Sequence, residues 1–212
     1  DAAKRRMVAF CEQHNIALIE DDTYTPLADS NTPLKAIKAW DRTGNVIYCA
    51  SLSKTVAPGL RLGWMTAGRW QERVQMLKFA QSRPNDSLMQ VVAGRFIASG
   101  AYDRHIRTLR QTLREQRERM AESIAECFPA GTRLSVPSGG LAMWVELPTN
   151  VSSVALFDAA LKHSIRIAPG TMFSNLNRFD HFFRICFGLE PSANLETALA
   201  TLGELTRQLT EA

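Results

Sequence analysis

Residues 46–64, V-I-Y-C-A-S-L-S-K-T-V-A-P-G-L-R-L-G-W, limit what this chain can fold into more than any other stretch. An apolar run of strand length (Val46, Ile47, Tyr48, Cys49, Ala50) leads into Ser51, Ser53 and Lys54. A Pro58-Gly59 turn follows, then Arg61, and a second apolar run opens at Leu62-Gly63-Trp64. Strands that stop abruptly at polar, Gly/Pro-marked segments are characteristic of α/β sheets, whose ligands collect at the carboxyl ends of the strands. A lysine there, with two hydroxyls before it and an arginine after it, has the ingredients of a site for a phosphorylated carbonyl compound. The amine can condense with the carbonyl, and the hydroxyls and guanidinium can bind phosphate oxygens. Taken alone, S-x-S-K carries little weight, because most lysines are solvated.

A second constellation upstream adds to it. Residues 16–20, I-A-L-I-E, read as another buried strand and end in Asp21-Asp22-Thr23-Tyr24. A carboxylate and a phenol at the end of a neighbouring strand are what a pyridine ring needs: an anionic partner for the protonated nitrogen and a hydrogen bond for the ring hydroxyl. Aspartate with an imine-forming lysine is the pairing used for pyridoxal phosphate.

The rest of the sequence is compatible with such a site. Its 212 residues suffice for one good-sized domain or two small ones, and 45% apolar with 22% charged residues is ordinary for a globular protein. No apolar run approaches the roughly 18 residues of a membrane span, and no signal peptide opens the sequence. Cys11, Cys49, Cys127 and Cys186 are scattered without metal-ligand spacing, so reduced core thiols in a cytoplasm are expected. A net charge of +4 is only mildly basic and does not select a partner.

Residues 1–15 read as a helix feeding the strand at 16–20. A loop-rich stretch at 27–43 holds a short helical segment at 34–40. Strands at 46–50 and 62–66 are followed by helices at 68–82 and 88–99 and a long helix at 101–128. On the long helix Ile106, Leu109, Leu113, Met120 and Ile124 form an apolar stripe. Arg104, Arg107, Arg110, Arg114, Arg117 and Arg119 lie elsewhere on it, among Glu115, Glu118 and Glu122. Six arginines suit a nucleic-acid footprint, but interleaved acids and the lack of stacking aromatics favour a solvated face, with Glu115 and Arg119 paired. His105 reads as a packing or hydrogen-bonded histidine. Beyond Pro129, strands at 134–136, 141–147 and 184–187, a short strand at 165–168, and helices at 154–163 and 195–209 predict a small, mainly antiparallel α+β layer. Trp64, Trp144, Phe157 and Phe187 are expected in the core, with Met143 and Met172 as gap-fillers. Arg184, between Phe183 and Ile185, needs a partner for its head group: either a ligand or an ion pair such as one with Asp180.

Together D-D-T-Y, S-L-S-K-T-V-A-P-G-L-R-L-G-W and F-F-R-I-C-F-G resemble the fold-type-I aminotransferases of class I/II. Ala98–Arg107 (A-S-G-A-Y-D-R-H-I-R), F-P-A-G-T from Phe128, P-S-G-G from Pro137, and I-A-P-G from Ile167 with Phe173-Ser174 are most similar to the aminotransferase-like domain of MocR-type regulators within the GntR transcription factors. The resemblance runs from about Ile16 to Gly188. It implies pyridoxal 5'-phosphate as cofactor, with Lys54 as its covalent anchor and catalytic base. Asp21 would lie under the ring nitrogen and Tyr24 on the ring hydroxyl. Ser51, Ser53 and Arg61 would hold the phosphate, and Arg184 the carboxylate of an amino acid or related small molecule. The D-x-x-Y register puts Asp21 rather than Asp22 in the ring-nitrogen position, and alternation along a strand turns Asp22 the other way.

The same resemblance implies an α/β fold built from the C-terminal part of the aminotransferase architecture. Residues 1–100 would be the remaining part of a parallel-sheet large domain, 101–128 a connecting helix, and 129–212 an α+β small domain. The family's upstream phosphate-binding turn, ring-stacking aromatic and ring-hydroxyl asparagine are not found here, so a longer protein is expected. Its DNA-binding region would precede this chain, and the whole would be a cytoplasmic homodimer, with no membrane partner. The competing expectation is a working class I/II aminotransferase acting on an amino acid, since the residues for catalysis are all present.

Overall fold

A computed structural model of the chain describes every residue except Asn31, Pro33, Arg83, Asn177 and Ala212. Asn31 and Pro33 belong to the loop expected at 27–43 and so lie outside the described residues. The chain forms two compact units, Asp1–Leu109 and Arg110–Ala212.

In the first unit, helix α1 (Ala2–Gln13) buries Val8 and Cys11. It ends where Asn15 turns left-handed, at φ 51°, and the amide of Ile16 donates back to the carbonyl of Cys11 at 2.8 Å. This closure commits Ile16 to the helix cap. Strand β1 therefore begins two residues later than the apolar run suggests, at Leu18–Asp21. It pairs in parallel with β2 (Val46–Ser51), in a register that sets Leu18 opposite Val46 and Asp21 opposite Cys49. The third strand, β3 (Gly63–Thr66), runs antiparallel to β2, so the sheet is mixed rather than wholly parallel. The connection from Ser51 to Gly63 explains this, because a parallel return needs a crossover of a dozen or more residues, usually helical. Gly63 is required at the pairing: a Cβ there would overlap the carbonyl oxygen of Ala50.

Buried polar side chains fix the entrance to β2. Asp41, whose side chain is only 1% exposed, accepts from the Lys38 ammonium at 2.8 Å and from the amides of Thr43, Asn45 and Val46. Burial alone would raise its pKa; the Lys38 hydrogen bond and those of Val46 and Asn45 outweigh it and lower the carboxyl to about 2. Glu20 accepts from the amides of Ile37 and Lys38, capping the 3-10 turn Ile37–Trp40. A further 3-10 turn, Gly68–Trp70, leads into α2 (Gln71–Gln81), and α3 (Ser87–Ala98) starts from Asp86, whose carboxylate accepts from the amide of Met89. Neither α2 nor α3 has a buried residue.

Helix α4 (Ala101–Cys127) belongs to the first unit through Leu109 and to the second beyond it. Its stripe is buried at Ile106, Leu113, Met120 and Ile124. Arg117, expected on the solvated face, is buried as well, with Nη2 4.0 Å from Glu118, and Glu115 takes the side-chain amide of Gln111.

The second unit is a four-stranded antiparallel sheet ordered β4 (Arg133–Ser135), β5 (Ala142–Glu146), β7 (Phe182–Cys186), β6 (Ala168–Pro169). Met143, Val145 and Phe183 point from one face into a core shared with α5 (Ser153–Leu161), α6 (Ala193–Glu211) and the C-terminal part of α4. Phe128 stacks near Phe183, with ring centroids 6.1 Å apart. At Gly203 of α6 a Cβ would meet the carbonyl of Cys127, so glycine permits the two helices to approach. Phe187 is in this core as expected, and Met143 fills it. Trp144 and Phe157 are half-buried, whereas Trp64 (45% exposed) and Met172 (73% exposed) are not core residues. Cys186 is exposed as well.

Candidate functional site

The mixed sheet of the first unit brings three polar segments to one edge. Because β1 and β2 are parallel, Asp21–Tyr24 and Ser51–Lys54 both leave from their carboxyl ends. Because β3 is antiparallel, Arg61 enters at that same edge. Leu52 is buried and plugs the turn, and its carbonyl accepts from the amides of Thr55, Val56 and Ala57. The amide of Leu52 donates to the carbonyl of Leu62 at 2.9 Å, tying the start of the lysine turn to the residue after Arg61. The Ser51 hydroxyl accepts from the amide of Ser53 at 3.1 Å. Lys54 is exposed between half-buried Ser53 and buried Thr55. Arg61, also exposed, adopts a left-handed backbone (φ 48°, ψ 34°), and the side-chain amide of Asn85 donates to its carbonyl at 3.1 Å. That conformation, uncommon for a residue with a Cβ, turns the chain from the 3-10 turn Pro58–Leu60 into β3.

The two aspartates diverge as alternation requires. Asp21 lies opposite Cys49 in the register, and its carboxylate accepts from the amide and the hydroxyl of Thr23. Burial first, and then the Asp21 charge, push the Cys49 thiol up. Asp22 accepts from the Tyr48 hydroxyl at 2.7 Å. Burial, and then that hydrogen bond and the charge of Asp22, push the Tyr48 phenol well above its ordinary value. Tyr48, which reads as one more apolar residue of the strand, thus has a polar partner. The only sequence signal for it is a phenol in an otherwise apolar run, three positions before the strand end at Ser51. Tyr24 is half exposed and opens the 3-10 turn Thr25–Leu27.

Arg184 lies in the second unit. It is exposed on the face of the sheet opposite the helices, across from its strand partner Trp144, with its guanidinium 5.0 Å from the centre of the Phe173 ring. Trp144 stacks on Phe182 and meets Phe173 and Phe179 edge-on, so the arginine stands on an aromatic floor. The alternative of a pair with Asp180 is not realised: Asp180 accepts from the Ser152 hydroxyl at 3.1 Å, and Arg184 forms no salt bridge among the described residues. A guanidinium supported on a ring and free of a carboxylate is available for a two-pronged grip on an acid.

No helix among the described residues is long and apolar enough to cross a membrane. The chain is 35% identical over 204 residues to an uncharacterized HTH-type transcriptional regulator, YjiR, of Escherichia coli (strain K12), matching 96% of this chain and 43% of that protein. It is 31% identical over 198 residues to the HTH-type transcriptional regulator NorG of Staphylococcus aureus (strain N315), matching 92% of this chain and 44% of that one. It therefore spans less than half the length of these relatives. Among solved structures, Pyrococcus horikoshii kynurenine aminotransferase, in complex with PMP, aligns with a TM-score of 0.89 at 28% identity, over 100% of this chain and 53% of that one. The family model for aminotransferase class I and II matches residues 3–202, and the chain belongs to that family.

Proposed function

We propose that this chain is the pyridoxal-phosphate-binding, aminotransferase-like effector domain of a MocR/GntR-type transcriptional regulator. The observation that carries the reading is the meeting of Asp21, Tyr24, Ser51, Ser53, Lys54 and Arg61 at one edge of the sheet. These groups fit the cofactor: hydroxyls and a guanidinium for its phosphate, an exposed amine for its carbonyl and a carboxylate for its ring nitrogen. When bound, pyridoxal phosphate supplies the carbonyl that takes up amines and a ring that withdraws electrons from them. Ser51, Ser53 and Arg61 would anchor the phosphate and so fix orientation. Asp21 would hold the proton on the ring nitrogen, and Tyr24 would donate to the ring hydroxyl. The Lys54 Nζ would accept and return a proton once displaced by an incoming amine. Arg184 would bind the carboxylate of an amino acid or related effector.

In this reading residues 1–100 belong to the large domain, 101–128 connect, and 129–212 form the small domain. The regulator is a cytoplasmic homodimer that reaches DNA through a separate N-terminal domain, as the HTH designation of YjiR and NorG suggests for those relatives. A catalytically active aminotransferase is the second reading, favoured by the unblocked Arg184 and the likeness to the kynurenine aminotransferase. Borohydride reduction of the full-length protein with pyridoxal phosphate, followed by peptide mapping, is expected to label Lys54, and Lys54→Ala to abolish the label. A label on another lysine would refute the assignment. Gel shifts with and without an amino acid, run beside turnover assays, separate regulator from enzyme.

A further inference from the structure

The turn that carries Lys54 is attached to the body of the first unit by a bond from a distant helix. The Nε2 of His105, on α4, lies 2.7 Å from the backbone carbonyl of Thr55, the residue after Lys54. A carbonyl only accepts, so Nε2 bears the hydrogen and the neutral ring is the Nε2–H tautomer. The imidazolium would donate from the same atom, so the bond persists in either protonation state. Thr55 is buried, and its own hydroxyl finds no hydrogen-bond partner among the described residues. The carbonyl, not the hydroxyl, is thus the polar hold on this residue from outside the turn. The bonds from Thr55, Val56 and Ala57 to Leu52 lie within the turn; its placement rests on Leu52 and the Ser53 amide at its start, the latter on the Ser51 hydroxyl, and on His105 beyond Lys54.

The histidine is itself held in place. Gly100, at φ +71°, lets the chain turn from α3 into α4. Phe96 of α3 meets Tyr102 edge-on and lies 6.3 Å, centroid to centroid, from the His105 ring. Ile106, next to it, is buried. The ring is therefore braced by aromatic contact and directed at one acceptor, as a supporting group behind a reactive side chain must be.

We propose that His105 is a positioning residue for Lys54: its Nε2–H fixes the Thr55 carbonyl and so holds the preceding lysine at the sheet edge, ready to react. The link to Lys54 chemistry rests on the proposed function; the tether itself does not. In the full-length, cofactor-free protein, His105→Ala is expected to raise amide hydrogen exchange across residues 53–56 about five- to tenfold, the worth of one hydrogen bond to a backbone carbonyl. It is also expected to slow the reaction of the Lys54 amine with the aldehyde of pyridoxal phosphate, which releases water, by a similar factor, followed by absorbance. His105→Gln, whose terminal N–H can reach the same carbonyl, is expected to restore most of both. Thr55→Val, which removes only the unpartnered hydroxyl, is expected to change neither. Unchanged exchange in His105→Ala, or a Gln variant no better than Ala, would overturn the tether. Borohydride labelling of a different lysine in the unmodified protein would overturn the link to Lys54, while the exchange result would stand on its own.

Discussion

The two units bury their apolar residues to very different extents. In the second, Phe183, Val145 and Leu156 are fully enclosed between the sheet and its helices. In the first, every residue of β3 is exposed, α2 and α3 bury nothing, and Phe79, Ile19, Leu88 and Met76, all on these helices or the sheet, are each more than 60% exposed, whereas Met172 and Leu176, as exposed in the second unit, lie outside its sheet and helices α5 and α6. An apolar surface of that kind needs a cover. A groove of about 750 Å³ runs between α2 and the sheet, lined by Ile19, Ile47, Trp64, Met65, Val74 and Leu77. The candidate cofactor residues stand on the uncovered unit, and Arg184 stands on the self-sufficient one. Covered cores hold a fold by burial, whereas the first unit depends more on hydrogen-bonded side chains such as Glu20, Asp41 and Asn45.

The sharpest way to break this contrast is to remove one phenyl ring from each unit. Phe183→Ala is expected to destabilise the chain by about 3–5 kcal/mol, through lost burial and a cavity. Phe79→Ala, at a side chain 73% exposed, should stay within about 0.5 kcal/mol. Urea denaturation of both variants measures this, and equal losses would show that α2 is covered in the folded molecule.

Where local chemistry decides the outcome, the fold is legible in the sequence. The strand-end lysine, the stripe on α4 and the antiparallel layer follow from apolar period and from Gly and Pro placement. Where a partner decides, it is not. Trp64 and Met172 have the composition of core residues, but exposure depends on what packs over them. Arg117 lies beside an apolar stripe whose width the sequence does not state. The start of β1 moved because the Ile16 amide is taken by the cap of α1, a hydrogen bond that no periodicity reveals. The Tyr48–Asp22 bond is hidden from the sequence for the same reason. The strand-end position of each candidate cofactor residue was legible; the bonds that hold the Lys54 turn, from Leu62 and His105, join positions too far apart in sequence to pair by spacing.

If polar anchors carry the first unit, Asp41→Asn should cost up to about 2 kcal/mol, allowing for solvent screening at the partly exposed Lys38. The sign follows from its lowered carboxyl: the contribution is present above the ordinary aspartate value of 3.8 and is lost as pH falls from there towards about 2. Thermal melts between pH 6 and pH 2 should show this decline in the parent and a flatter profile in the variant. Identical profiles would assign the stability of the β2 entrance to something other than Asp41.

Arg184 tests the opposite property of the second unit, a charged group added to a finished core. Arg184→Lys keeps the charge and loses the fork, so melting should be unchanged while amino-acid binding to the full-length protein weakens about fivefold. Titration of the cofactor absorbance with amino acids measures the second quantity. A variant that melts markedly lower would make Arg184 part of the structure after all.

The smallest expected effect is the most informative about cover. Tyr48 and Asp22 form one hydrogen bond on a half-buried face of the open sheet, beside Pro26, Trp64 and Tyr102. Where water reaches that face, Tyr48→Phe loses little, because water replaces the phenol on the Asp22 carboxylate; below about 0.5 kcal/mol is expected for the 212-residue chain. If further polypeptide closes over the face in the full-length protein, the same substitution strands a carboxylate without its donor, and the cost should rise to about 1–3 kcal/mol. The pair of denaturation measurements thus compares one bond in two surroundings. A cost that is small in both would mean that this face stays wet even in the longer protein, and the contrast between the units would then belong to the fold itself.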